Sequence, residues 1–78
     1  MPRYYFDVHD GEASTIDAVG LEFDGPRSAQ REAIRCLPDV ARDALPDGTE
    51  RDFVVVVRDH AGRAILRAKL SLTVETLL

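Results

Sequence analysis

The chain of 78 residues holds one cysteine, one methionine and no tryptophan. A single Cys36 excludes an internal disulfide, and no group of Cys and His falls at zinc-ligand spacing. No apolar run approaches the roughly 20 residues that a membrane span needs. Met1-Pro2-Arg3 leads straight into Tyr4-Tyr5-Phe6, without the basic, apolar and small-residue succession of a signal peptide. These absences point to a cytoplasmic protein. The sequence also offers no phosphate-cradling Gly-rich loop, no Ser/His/Asp arrangement and no paired-carboxylate site. The expectation is therefore a non-enzymatic protein that carries no cofactor and no metal.

What is there is a folded domain. With 31% charged and 45% hydrophobic residues, the composition is globular and not disordered. Residues 1–78 make one small domain, which buries only about 60–65% of the surface its unfolded chain exposes. Small domains often compensate with disulfides, metals or self-association, and only the last remains open.

Charge is unevenly placed. The first 26 residues set Arg3 against six carboxylates, while residues 51–78 set five cations against Asp52, Asp59 and Glu75. The simpler reading is that acidic and basic strands neutralise each other within one sheet. The sharper one is a basic face for an acidic ligand.

Periodicity sets the element order. Arg3 to His9 alternates as a strand, with Tyr4, Phe6 and Val8 on one face and Tyr5, Asp7 and His9 on the other. Asp10-Gly11 signals a turn, Glu12 to Thr15 reads as loop, and Ile16 to Phe23 reads as a second strand. Asp24-Gly25-Pro26 opens a helix, with Pro in the first turn and Asp24 or Gly25 as cap. Ala29, Ala33, Leu37, Val40, Ala41 and Ala44 form its apolar stripe, with Ile34 and Leu45 at the margins. Pro38 interrupts the helix, but the stripe keeps its phase, so one bent helix is expected. Leu45-Pro46-Asp47-Gly48 ends it. A valine-rich strand follows over Arg51 to Arg58, then a turn at Asp59-His60-Ala61-Gly62, then a last strand from Arg63 to about Val74.

The order ββαββ predicts a two-layer α+β fold, a four-stranded, largely antiparallel sheet with one helix on one face. Right-handed crossover permits sheet orders 2-1-3-4 or 1-2-4-3, numbering strands along the chain. Phe53-Val54-Val55-Val56-Val57 is apolar on both faces, whereas a strand covered on one side needs an apolar residue only at alternate positions. One helix covers one side. The other side is expected to meet a second copy of the chain, through Val54 and Val56 if Phe53 points inward, bordered by Tyr5, Asp7, Arg67 and Lys69. If the chain is a monomer instead, Glu75 to Leu78 must cover these valines.

Other polar groups have ordinary explanations. His9 and His60 sit at hairpin tips at opposite ends of the sheet, too far apart to share a metal. Cys36, at the margin of the stripe, reads as a small filler. Arg27, Arg31, Arg35 and Arg42 gather on one flank of the helix, as a phosphate-binding stripe would. Glu32 and Asp39 lie three residues before Arg35 and Arg42, however, so local pairing accounts for much of the pattern. Nucleic acid is the less favoured partner for an acidic chain, and no membrane partner is implied.

The combination M-P-R-Y-Y-F-D-V-H-D-G, the D-x-x-G of Asp17 to Gly20 followed by L-E-F-D, the Ala-rich helix and the R-D-x-x-G-R of Arg58 to Arg63 resembles a family of short uncharacterised bacterial proteins. These occur mostly in alphaproteobacteria and are described as a domain of unknown function. The resemblance spans nearly the whole chain and implies no activity, cofactor or catalytic residue. In layout alone, two strands and an Ala-rich helix also resemble the N-terminal half of HicB-type antitoxins. The function expected is thus a homodimeric protein-interaction module. The alternative is a small regulator binding nucleic acid or a toxin-like protein through the Arg flank.

Overall fold

The computed structural model describes residues 1–11, 13–45 and 48–78. The elements are β1 (Arg3–Asp10), β2 (Ala13–Thr15), β3 (Leu21–Glu22), α1 (Pro26–Ala44), β4 (Glu50–Arg58) and β5 (Ala64–Thr73). The sheet runs β2-β1-β4-β5, with β3 also paired to β1, and every pairing is antiparallel. This is the α+β class with one helix, in the 2-1-3-4 order. Glu12, Pro46 and Asp47 lie outside the described residues, and with them part of the expected loop and of the helix stop.

The second strand departs from expectation. Instead of running from Ile16 to Phe23 it is two short pieces, β2 and β3, on either side of a loop at 16–20. Ala13 to Thr15, read as loop, is strand. Alternation of Val19, Leu21 and Phe23 was misleading, because Gly20 takes φ 73°, a left-handed conformation that ends a strand.

Helix α1 begins at Pro26 behind Gly25, and no side chain caps its first turn. Asp24 instead accepts a hydrogen bond from the Ser28 hydroxyl. The helix buries Ala29, Ala33, Leu37 and Ala41, a line at four-residue spacing whose small side chains let it lie close to β4 and β5. Phe53, Val55 and Val57 on β4 and Tyr4 on β1 complete the buried core. Phe23 closes one end by packing edge-on to Phe6, with ring centroids 5.8 Å apart. Each fully buried Val or Phe contributes about 1.5–3 kcal/mol. Cys36 packs partly buried against this core, where burial and then Glu32 and Asp39 push its thiol pKa up, so it is a filler and not a thiolate.

The valines divide as their alternation requires. Phe53, Val55 and Val57 face the helix, and Val54 and Val56 are half-buried on the other face. Glu75 to Leu78 are all exposed, so the tail does not cover them. β5 pairs in register with β4 except at one bulge, where Val57 opposes Leu66 and Arg58 opposes Ala64, leaving Ile65 over.

The helix continues unbroken through Pro38, which is exposed. Helix interiors disfavour Pro by about 3 kcal/mol relative to Ala. Pro38→Ala should therefore raise the unfolding free energy measured by urea titration, by up to that amount less what the helix's present shape contributes to packing; a marked loss would show that Pro38 sets a required bend.

Candidate functional site

On the helix-free face, β1 contributes Tyr5, Asp7 and His9, and β4 contributes Val54, Val56 and Arg58. Register sets Arg58 opposite Tyr5 and Asp7 opposite Val56, so the Arg58 side chain reaches diagonally to Asp7. The contact is bidentate, Nε to Oδ2 at 2.7 Å and Nη2 to Oδ1 at 3.1 Å. The guanidinium also lies over the Tyr5 ring, 5.0 Å from its centroid.

Asp17 completes this cluster. Its Oδ2 accepts the Phe6 N–H at 3.1 Å, and its Oδ1 accepts the N–H groups of Val19 and Gly20, both at 3.0 Å. Its own N–H donates to Asp7 Oδ1 at 3.0 Å, and its carbonyl accepts from Arg58 Nη2 at 2.9 Å. A single carboxylate therefore fills the gap in the β1 edge between β2 and β3. It also folds the D-x-x-G loop onto it.

The arrangement favours the ionised form of both carboxylates. The Arg58 hydrogen bond chiefly holds Asp7 below its ordinary pKa, against burial and with help from the Asp17 N–H. For Asp17 burial pulls the pKa upward, but the N–H groups of Gly20, Phe6 and Val19 together outweigh it, and the net direction is down. Each carboxylate accepts three hydrogen bonds within the fold, and these hold its ionised form in place.

The R-D-x-x-G-R stretch is also local architecture. Asp59 Oδ1 accepts from the N–H groups of Ala61 and Arg63, each at 3.0 Å, and closes the β4–β5 turn. Charge neutralises across the sheet as composition suggested. Besides Asp7–Arg58, Asp10 meets Arg51 at 2.8 Å, and Asp52 meets Lys69 at 3.5 Å.

The expected site residues are only partly brought together. Val54, Val56 and Tyr5 share the helix-free face, with Arg67 and Lys69 exposed beside them on β5. Asp7, expected to border the contact with a second copy, is buried and accepts three hydrogen bonds within its own chain. Asp17 went unrecognised as its partner, although the D-x-x-G spacing was the available signal. Arg27, Arg31, Arg35 and Arg42 are all exposed. Arg35 pairs with Glu32 at 3.7 Å and Arg42 with Asp39 at 3.0 Å. His9 bonds Ser14 through Nδ1 at 2.9 Å, at the opposite end of the sheet from His60.

An open cleft of about 550 Å³ lies between the C-terminal half of α1 and the β1–β2 hairpin. Val8, Thr15 and Val40 line it with Asp10, Asp43 and Arg51. Among the described residues no group of three or more His, Cys, Asp or Glu is placed to hold a metal ion. No helix among them is long and apolar enough to cross a membrane.

Because the folded-state pKa values of Asp7 and Asp17 are depressed from 3.8, the unfolded chain takes up protons first on acidification. Their stabilisation is complete above about pH 5 and is lost as the pH falls through and below about 4. Urea midpoints should follow that limb, and Asp7→Asn should lower the midpoint at pH 7 and flatten the limb. An unchanged limb would remove Asp7 from this account. A Cβ on Gly20 would stand 2.9 Å from Arg3 Cγ, the Tyr4 carbonyl oxygen and Tyr5 Cε1. Gly20→Ala should therefore cost about 1–3 kcal/mol from backbone strain alone, measured by denaturant titration.

The chain is similar to a serine–tRNA ligase of Pseudarthrobacter chlorophenolicus, 36% identical over 44 residues, which are 56% of this chain and 10% of that protein. It thus spans about a tenth of the length of that curated relative. No solved structure matches it. The family pattern described as "Domain of unknown function (DUF6894)" matches residues 3–71, so it takes in the Asp7–Asp17–Arg58 cluster, α1 and nearly all of β5. The chain belongs to this family of unknown function.

Proposed function

We propose that the protein is a non-enzymatic protein-interaction module that works as a homodimer in the cytoplasm. One observation carries this reading: the β4–β5 half of the sheet retains apolar surface that the described residues leave partly or wholly uncovered. Val54 and Val56 are half-buried on the helix-free face, and Leu70 and Val74 are exposed at the outer strand. In a domain with so thin a core, covering such side chains is a large fraction of the available stability. Asp7 takes no part in the contact, because its oxygens are already used.

The absence of an enzymatic task is inferred from the polar groups themselves. The cluster of Asp7, Asp17 and Arg58 spends most of its hydrogen-bonding capacity on the fold itself. Similarity to a tenth of a tRNA ligase transfers no aminoacylation to this chain. A second reading, an anionic partner such as nucleic acid or an acidic toxin-like protein, is favoured by one feature. Arg27 and Arg31 are exposed on the outer face of α1 and form no ion pair among the described residues.

Sedimentation equilibrium at tens of micromolar should give twice the chain mass of 8.7 kDa, and the protein should show no salt-sensitive binding to mixed nucleic acid. A monomer overturns the dimer reading. Binding that weakens steeply between low and moderate salt, and is lost with Arg27→Ala and Arg31→Ala together, would establish the second reading.

A further inference from the structure

The two edges of the sheet are built differently. On the β1 side the edge is broken into the short strands β2 and β3, and Asp17 caps the exposed Phe6 N–H between them. Short strands and capped donors are how an edge is kept from pairing with another chain. On the other side β5 is a ten-residue strand, paired only to β4 among the described residues. Its bulge lies at the Ala64–Leu66 end, leaving the stretch from Leu66 onward regular.

We propose that a second copy of the chain pairs antiparallel along the free edge of β5, about a two-fold axis through Leu70. This rests on the homodimer reading and specifies its geometry. A two-fold axis normal to the sheet keeps both helices on one face, and directly opposed residues then point the same way. The register follows from the charges. An axis at Ala68 would use more of the strand, but would set Arg67 against the partner's Lys69 twice. Axes at Arg67 or Lys69 oppose a cation to its own copy, and one at Leu66 sets Lys69 against the partner's Arg63. Like charges directly opposed on neighbouring strands are destabilising.

With the axis at Leu70, Arg67 meets the partner's Thr73, and Lys69 meets the partner's Ser71. On the helix side Leu70 meets the partner's Leu70, Ala68 meets the partner's Leu72 and Leu66 meets the partner's Val74. Moving on to Ser71 also avoids opposed cations, but confines the pairing to residues 69–73 of the strand. Leu70 thus gives the longest pairing within β5 that opposes no like charges. It also covers Leu70 and Val74, 39% and 53% exposed in the single chain, and leaves Val54 and Val56 on the helix-free face outside the seam. Because the guarded β1 edge cannot extend the sheet, assembly stops at two.

The test is a charge swap across the seam. Within its own chain Thr73 lies beside Glu50, so Thr73→Arg should leave folding intact by circular dichroism. It sets Arg against the partner's Arg67 twice and should raise the dimer dissociation constant about tenfold. Adding Arg67→Glu should restore it. Independently, Leu70→Cys in a Cys36→Ser background should give a disulfide-linked dimer on mild oxidation, and Val56→Cys in the same background should not. If the unmodified protein is a monomer, the homodimer reading fails and this geometry with it. If it is a dimer that cross-links through Val56→Cys, or that ignores the Thr73→Arg change, the edge geometry alone is overturned.

Discussion

The carboxylate of Asp17 is the constraint from which the rest of the sheet follows. It satisfies the one N–H of β1, that of Phe6, left over between two short partner strands, and it ties down its own loop through Val19 and Gly20. Its N–H and carbonyl meanwhile engage Asp7 and Arg58. One residue thereby joins the edge of the sheet to the bidentate ion pair linking β1 and β4. An unpaired buried donor costs about 1–3 kcal/mol, so this loop could not be remodelled without loosening the strand beneath it.

That lock matters because the core is thin. Tyr4, Phe53, Val55 and Val57 meet a helix whose buried line is mostly alanine. Alanine brings α1 close to the sheet but supplies little apolar area, so the ion pairs of β1 with β4 hold the two strands in register where packing alone would not. The same economy leaves apolar side chains on the outer half of the sheet without cover.

The signature stretches of the chain therefore have structural work to do. D-x-x-G builds the edge loop and R-D-x-x-G-R builds the β4–β5 turn, with Arg58 shared between that turn and the buried pair. Asp7, Asp17, Arg58 and Asp59 each make hydrogen bonds that shape the fold itself. The surfaces left for a partner are those without a motif: the β5 edge, the helix-free valines and the outer Arg face of α1.

Local pattern by itself determined the α+β class, the extent of α1 through Pro38, the valine strand and its division into two apolar faces, while the structure decided that Phe53, Val55 and Val57 are the ones turned to the helix. Each of the former is a matter of near-neighbour periodicity, in which residues two or about four apart share a face. The antiparallel sheet followed from short connections, and the neutralisation of acidic by basic strands followed from composition. Only the tertiary structure decided between the two sheet orders, split the second strand into β2 and β3, and withdrew Asp7 from the surface. Those outcomes depend on Asp7, Asp17 and Arg58, residues ten and forty-one positions apart that meet only once β1 and β4 are paired. The D-x-x-G spacing marks the loop that Asp17 closes, but it does not encode the meeting of that carboxylate with an orphan N–H on a strand eleven residues earlier. Alternation at Val19, Leu21 and Phe23 pointed to a continuous strand, and the left-handed turn at Gly20, wedged against Tyr4 and Tyr5, overrode it.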